Sequence, residues 1–127
     1  MRLLLDTCTF LWVILDSPEL TRTARESYLG AEEVFLSSVS AWEIAVKNAL
    51  GRLPLPKRPA DYVPVMREKH GIRPLPLTEE AALHITKLPD LHRDPFDRML
   101  VSQAITEGLI ILTPGSEIMR YPARTVW

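Results

Sequence analysis

The stretch "DPFDRMLVSQAITEGLIILT", residues 94–113, decides how this chain folds. Asp94 is a good helix cap, Pro95 suits the first helical position, and Asp97 lies where an acid can reach back to the cap. The helix so started spans residues 95–108. Residues 109–113, "LIILT", form a short apolar run that reads as a buried strand. The same stretch poses a chemical question, because Asp94 and Asp97 serve equally as helix starters or as a pair of oxygen ligands.

Outward from there, helices and strands alternate. Residues 3–5 read as a short buried strand with Asp6 at its end, and residues 9–15 as a helix. A turn at residues 16–18 precedes a helix from the cap Thr21 to Gly30. Residues 34–37 read as a second strand. Residues 38–50 read as a helix whose apolar face is Val39, Trp42, Ala45, Val46, Ala49 and Leu50, ended by Gly51. The connector "RLPLPKRP" is extended. A helix follows over residues 60–70, in which Pro64 is tolerable only near the first turn. Residues 72–77 contain Pro74 and Pro76 and suit an edge strand. A helix over residues 78–88, a helical turn at 117–121 and an extended piece at 125–127 complete the pattern. This alternation implies an α/β fold, a mainly parallel sheet flanked by helices on both faces. With no repeat or linker, one domain over residues 1–127 is expected.

The 127 residues are 46% hydrophobic and 24% charged, which excludes a disordered chain. The net charge of −1, from 15 basic and 16 acidic residues, gives no global signal for nucleic acid, so any such contact needs a local cluster. Cys8 is the single cysteine, which excludes an internal disulfide and Cys-rich zinc sites and makes a reducing cytoplasm the default location. Asp6 interrupts the apolar N-terminus early, so it is not read as a signal peptide, and no stretch is long and apolar enough for a membrane span. The glycines are isolated, which argues against Walker or dinucleotide-binding loops.

In a parallel α/β sheet, ligands bind beyond the carboxyl ends of the strands. Asp6 ends the first strand, Glu43 lies early in the helix after the second, and Asp94 and Asp97 open the helix that leads into "LIILT". Four carboxylates from three distant segments thus converge on one edge. Each also has a local explanation: Asp6 as a helix cap, residues 40–43 as a capping box, and Glu43 as the partner of Lys47 four residues on. Crowded carboxylates repel, and a hard cation with oxygen ligands offsets that repulsion. His92 is more readily a hydrogen-bonding surface group than a ligand. Lys47, Arg93 and Arg98 are expected near the acids, as charge balance or as phosphate contacts. Trp12, Trp42 and Phe96 are expected in the core. A receiver-like domain also places Asp at a strand end, but it needs a Lys after a late strand, where this chain has Pro114-Gly115.

The segments "LLLDTCTFLW", "SSVSAWEIAVKNALGRLPLP", "HRDPFDRMLVSQA" and "LIILT" resemble, in order and over essentially the whole chain, a PIN domain. "DPFDRML" after a "WEIA" helix is similar to VapC-like toxins of type II toxin–antitoxin pairs. The resemblance implies a three-layer PIN-like fold and a metal-dependent endoribonuclease that hydrolyses RNA phosphodiesters with Mg²⁺ or Mn²⁺. It assigns Asp6, Glu43, Asp94 and Asp97 to the catalytic metal site, and Thr7 and Ser40 to hydroxyl positions beside it. Lys47, Arg93 and Arg98 then position the RNA backbone. The implied partners are an RNA such as tRNA or rRNA, a cognate antitoxin and a second copy of the chain. One position departs from the family pattern: Gly115 stands where a further acid is common, with Glu117 two residues on. That departure leaves open one ion or two, and a PIN-fold module that binds an antitoxin without catalysis.

Overall fold

A computed structural model describes all of residues 1–127. Its centre is a five-stranded sheet in the order β3-β2-β1-β4-β5, with every pairing parallel. The strands are β1 (Arg2–Leu5), β2 (Glu33–Ser37), β3 (Arg73–Leu75), β4 (Ile110–Leu112) and β5 (Thr125–Val126). Between them run α1 (Thr7–Ile14), α2 (Arg22–Gly30), α3 (Ser38–Ala49), α4 (Pro59–Lys69), α5 (Glu79–His84) and α6 (Pro95–Glu107).

Side chains alternate across each strand, and this alternation builds the layers. Leu3, Leu5, Val34, Leu36, Ile110 and Leu112 pack on one face with residues of α1, α2, α3 and α4. Leu4, Phe35 and Ile111 pack on the other with Leu100, Val101 and Ala104 of α6. Both faces are therefore dry, as an all-parallel sheet requires, and the strands read as continuous apolar runs. The expected three-layer α/β architecture is the one found.

Four differences from the sequence reading have physical causes. First, α1 starts at Thr7 rather than residue 9, because Asp6 caps it by accepting the Thr7 N–H. Second, Pro64 is the sixth residue of α4, beyond the first turn. Pro64 and Ala60 are both exposed, so the carbonyl that Pro64 leaves unbonded lies on the solvent side of the helix. Third, the helix expected over residues 78–88 tightens into a 3₁₀ turn at Ile85–Lys87. Fourth, Trp42 is not in the core: it is 60% exposed, with its ring edge on Phe96 at 5.0 Å between centroids. The buried residues of α3 are Val39, Ser40, Glu43 and Ile44, while Ala45, Ala49 and Leu50 face solvent. The helix is turned so that two polar side chains, Ser40 and Glu43, lie inward.

Candidate functional site

The site lies at the carboxyl edge of the sheet. Asp6 follows β1, the central strand, and its backbone N–H donates to the Leu112 carbonyl of β4 at 3.2 Å. On the other side, β2 passes straight into α3, with Ser37 as the cap. Glu43 comes two turns into α3 and points back over the strand ends. Asp94 caps α6, accepting the N–H groups of Phe96 at 2.9 Å and Asp97 at 3.2 Å. Asp6, Glu43, Asp94 and Asp97 all line one open cleft of about 370 Å³, walled in part by Leu11 and Leu53.

The carboxylates are held individually. Asp6 Oδ1 accepts the Thr7 N–H at 2.7 Å, and its Oδ2 accepts the Thr113 hydroxyl at 2.7 Å. Glu43, 6% exposed, accepts the Thr7 hydroxyl at 2.7 Å on Oε1 and the Lys47 ammonium on Oε2. The fully buried Ser40 hydroxyl lies 2.9 Å from that of Thr7. Asp97 Oδ2 lies 3.1 Å from His92 Nε2.

Charge is strained here. Burial pushes the Asp6 carboxyl above the ordinary carboxylate range, against the opposing bonds from Thr113 and Thr7, and the Glu43 charge adds to the push. Burial likewise drives Asp97 up to about 6; the His92 hydrogen bond resists, and the charges of Asp94 and Asp6 reinforce the rise. Lys47 is pushed above its ordinary value by its bond to Glu43 and by the charges of Asp94 and Asp97. Burial and the nearby Asp6 push the Cys8 thiol up to about 12, so it stays protonated and is no nucleophile.

No three of the chain's His, Cys, Asp and Glu side chains close into a ready-made cation cage. The donor chemistry nonetheless fits a hard divalent cation: four carboxylates, two of them already resisting ionisation, with protein hydrogen-bond donors steadying Asp6, Glu43 and Asp97.

Residues 3–123 match the family model of the PIN domain. The chain belongs to the PIN domain family. A 51-residue stretch of this PIN domain is 41% identical to Ribonuclease VapC16 of Mycobacterium tuberculosis, covering 40% of this chain and 36% of that protein. The chain thus matches little more than a third of that relative's length. Solved structures with the same fold include VapBC2 from Rickettsia felis bound to a DNA fragment from its promoter, with a TM-score of 0.72 at 14% identity, covering 98% of this chain and 97% of that one. DNA-bound VapBC from Salmonella typhimurium matches with a TM-score of 0.69 at 21% identity, over 98% and 96% of the two chains. FitAcB from Neisseria gonorrhoeae matches with a TM-score of 0.64 at 18% identity, over 98% and 96%.

Of the residues singled out in the sequence, the PIN domain brings Asp6, Thr7, Glu43, Lys47, Asp94 and Asp97 into the cleft, with Ser40 packed beneath. Two of the basic residues singled out lie outside the cleft lining. Arg98 turns away and donates to the Pro89 carbonyl at 3.0 Å and the Tyr121 hydroxyl at 2.9 Å, because the turn of α6 that aims Asp97 at the cleft aims its neighbour elsewhere. Arg93 is exposed and does not line the cleft. Sequence reasoning missed Arg52, which lines the cleft from the turn after α3 and carries no salt bridge. Nothing in its spacing marks it. It also missed Thr113, whose position at the end of the clearest strand was the available signal. The backbone beside Gly115 is close to the site: a Cβ there would meet Thr113 Oγ1 at 3.0 Å and Asp6 Oδ2 at 3.7 Å. Glu117 is not a substitute, since it pairs with Arg120 at 2.8 Å outside the cleft.

Proposed function

We propose that this protein is a divalent-cation-dependent endoribonuclease, the toxin of a toxin–antitoxin pair. The observation that carries the reading is the convergence of Asp6, Glu43, Asp94 and Asp97, from three separate segments, on one cleft beyond the strand ends. Asp6, Asp97 and Asp94, with Glu43 beside them, are the groups that would hold Mg²⁺ or Mn²⁺. When bound, such an ion supplies Lewis-acid polarisation of a phosphoryl oxygen and acidifies water.

The chain's own residues have separate tasks. Thr7 and Thr113 keep Asp6 oriented, and Thr7 with Lys47 does the same for Glu43. Lys47 and Arg52 bring the only basic side chains into the cleft, where they suit the phosphates flanking the reacting one. The similarity to a VapC ribonuclease and the VapBC structures sharing the fold support RNA as substrate and an antitoxin as partner. No helix is long and apolar enough to cross a membrane.

The test is cleavage of a pool of tRNA and rRNA with Mg²⁺ or Mn²⁺. Discrete fragments are expected from wild type, and none from Asp97→Asn or from wild type in EDTA. A folded wild type that cuts nothing with either ion favours the second reading, a PIN-fold module that binds an antitoxin without catalysis. Gly115, in place of a further acid beside Asp6, is the observation behind that reading.

A further inference from the structure

Asp97 has one side-chain partner, His92, and His92 is the end of a longer chain of bonds. The His92 ring is 14% exposed, with Nε2 3.1 Å from Asp97 Oδ2 and Nδ1 2.7 Å from the Tyr121 hydroxyl. Tyr121 is 4% exposed and follows the 3₁₀ turn Ile118–Arg120. Its hydroxyl receives an N–H from Arg98 at 2.9 Å, and the guanidinium also lies over the phenol ring at 5.8 Å. Arg98 further donates to the Pro89 carbonyl, and Arg120 donates to the Leu91 carbonyl at 3.2 Å. The stretch leading into His92 is thereby pinned by two arginines, one from α6 and one from the 3₁₀ turn.

The donor inventory gives this chain a direction. Arg98 can only donate, so the Tyr121 oxygen accepts. The phenol has one proton, and His92 Nδ1 is the acceptor left for it. With Nδ1 accepting, the ring proton belongs on Nε2, where it points at Asp97 Oδ2. Asp97 Oδ1 is left without a hydrogen-bond partner in the protein.

We propose that Arg98, Tyr121 and His92 form a directional hydrogen-bond chain that fixes the Asp97 carboxylate in the orientation that holds a divalent cation in the cleft, with Tyr121 as the key positioning residue. The proposal rests on the cation-binding reading of the cleft. Groups behind a metal ligand typically change metal affinity ~10–100-fold when removed, because an unanchored ligand must be ordered on binding.

The experiment measures Mn²⁺ affinity by electron paramagnetic resonance in wild type, Tyr121→Phe, Asp97→Asn and Tyr28→Phe, and the His92 tautomer by ¹⁵N NMR. Tyr121→Phe keeps the ring and deletes only the bridging hydroxyl. Tyr28→Phe is the control, a hydroxyl that donates to the His70 carbonyl at 3.0 Å away from the cleft. Expected are Nε2-protonated His92 in wild type, Mn²⁺ affinity weakened about tenfold or more by Tyr121→Phe, and wild-type affinity in Tyr28→Phe. Unchanged affinity in Tyr121→Phe, with binding lost in Asp97→Asn, overturns the chain and leaves the reading of the cleft intact. Equal binding by wild type and Asp97→Asn overturns both. A wild-type His92 protonated on Nδ1 overturns the proposal even if Tyr121→Phe does not fold.

Discussion

Asp97 occupies a place that resists its charge. Burial and the neighbouring acids raise its pKa from the ordinary 3.8 to about 6. An acid whose pKa is higher folded than unfolded binds its proton more tightly in the fold. Its stabilising contribution is full below about pH 4 and is lost as pH rises through about 6. That interval corresponds to on the order of 2–3 kcal/mol before solvent screening is discounted. Asn keeps an oxygen for the His92 N–H and carries no charge. In EDTA, Asp97→Asn should therefore be more stable than wild type near pH 7.5, by on the order of 1–3 kcal/mol, with the gap closing by about pH 4. Urea denaturation across that range measures it, and a gap that is the same at every pH refutes the assignment of strain to this carboxyl. Residues of this kind are only half legible in a sequence. That Asp97 opens a helix follows from Asp94-Pro95 alone. That His92 braces it depends on Tyr121, brought back from 29 residues away by the turn after β4.

Asp94 shows at the level of one helix why capping and ligation need not compete. Its Oδ1 accepts the first N–H groups of α6, and the same carboxylate lines the cleft. The two roles separate by substitution, because Asn caps a helix about as well as Asp whereas Ala costs about 1 kcal/mol. Asp94→Asn should leave stability within about 0.5 kcal/mol of wild type, and Asp94→Ala should lower it by about 1 kcal/mol. RNA cleavage should fall at least tenfold in both. An Asp94→Asn enzyme with full activity would reduce Asp94 to a cap. Caps were readable in advance at Thr21 and Asp94, since a side-chain oxygen and an N–H two or three residues on are local partners. The buried face of α3 was not. Periodicity favoured Trp42 and Ala45 as inward residues, but Ser40 and Glu43 took that face, because the hydroxyl of Thr7 and the strand ends supply polar partners there. A helix that buries a carboxylate and exposes a tryptophan has its orientation set by the cleft as well as by the core.

Across the whole molecule, the alternation of helices and strands foretold a parallel sheet but not its order. That order matters, because β1 lies between β2 and β4 and so sets Asp6 between Glu43 and Thr113. Local patterning carries no record of which strands become neighbours, so the convergence of acids was an inference from chain direction until the pairings were known. The resulting molecule is nearly neutral overall, at −1, yet gathers four carboxylates against Lys47 and Arg52 in one cleft. Self-repulsion of that kind weakens the fold where no cation is present, and a ligand that binds only the folded state stabilises it by mass action. At a free Mn²⁺ concentration of about 100 times its dissociation constant, the gain is ≈ 2.7 kcal/mol for one site. Wild type should therefore unfold at higher urea in Mn²⁺ than in EDTA, with the slope of the transition unchanged, because the same surface is exposed in both cases. Asp6→Asn removes the carboxylate at the centre of the cleft and keeps the side-chain oxygen that caps α1, so its midpoint should hardly respond to Mn²⁺. An equal upward shift in wild type and Asp6→Asn would mean that the ion acts elsewhere on the surface, and the cleft would lose its claim to the metal.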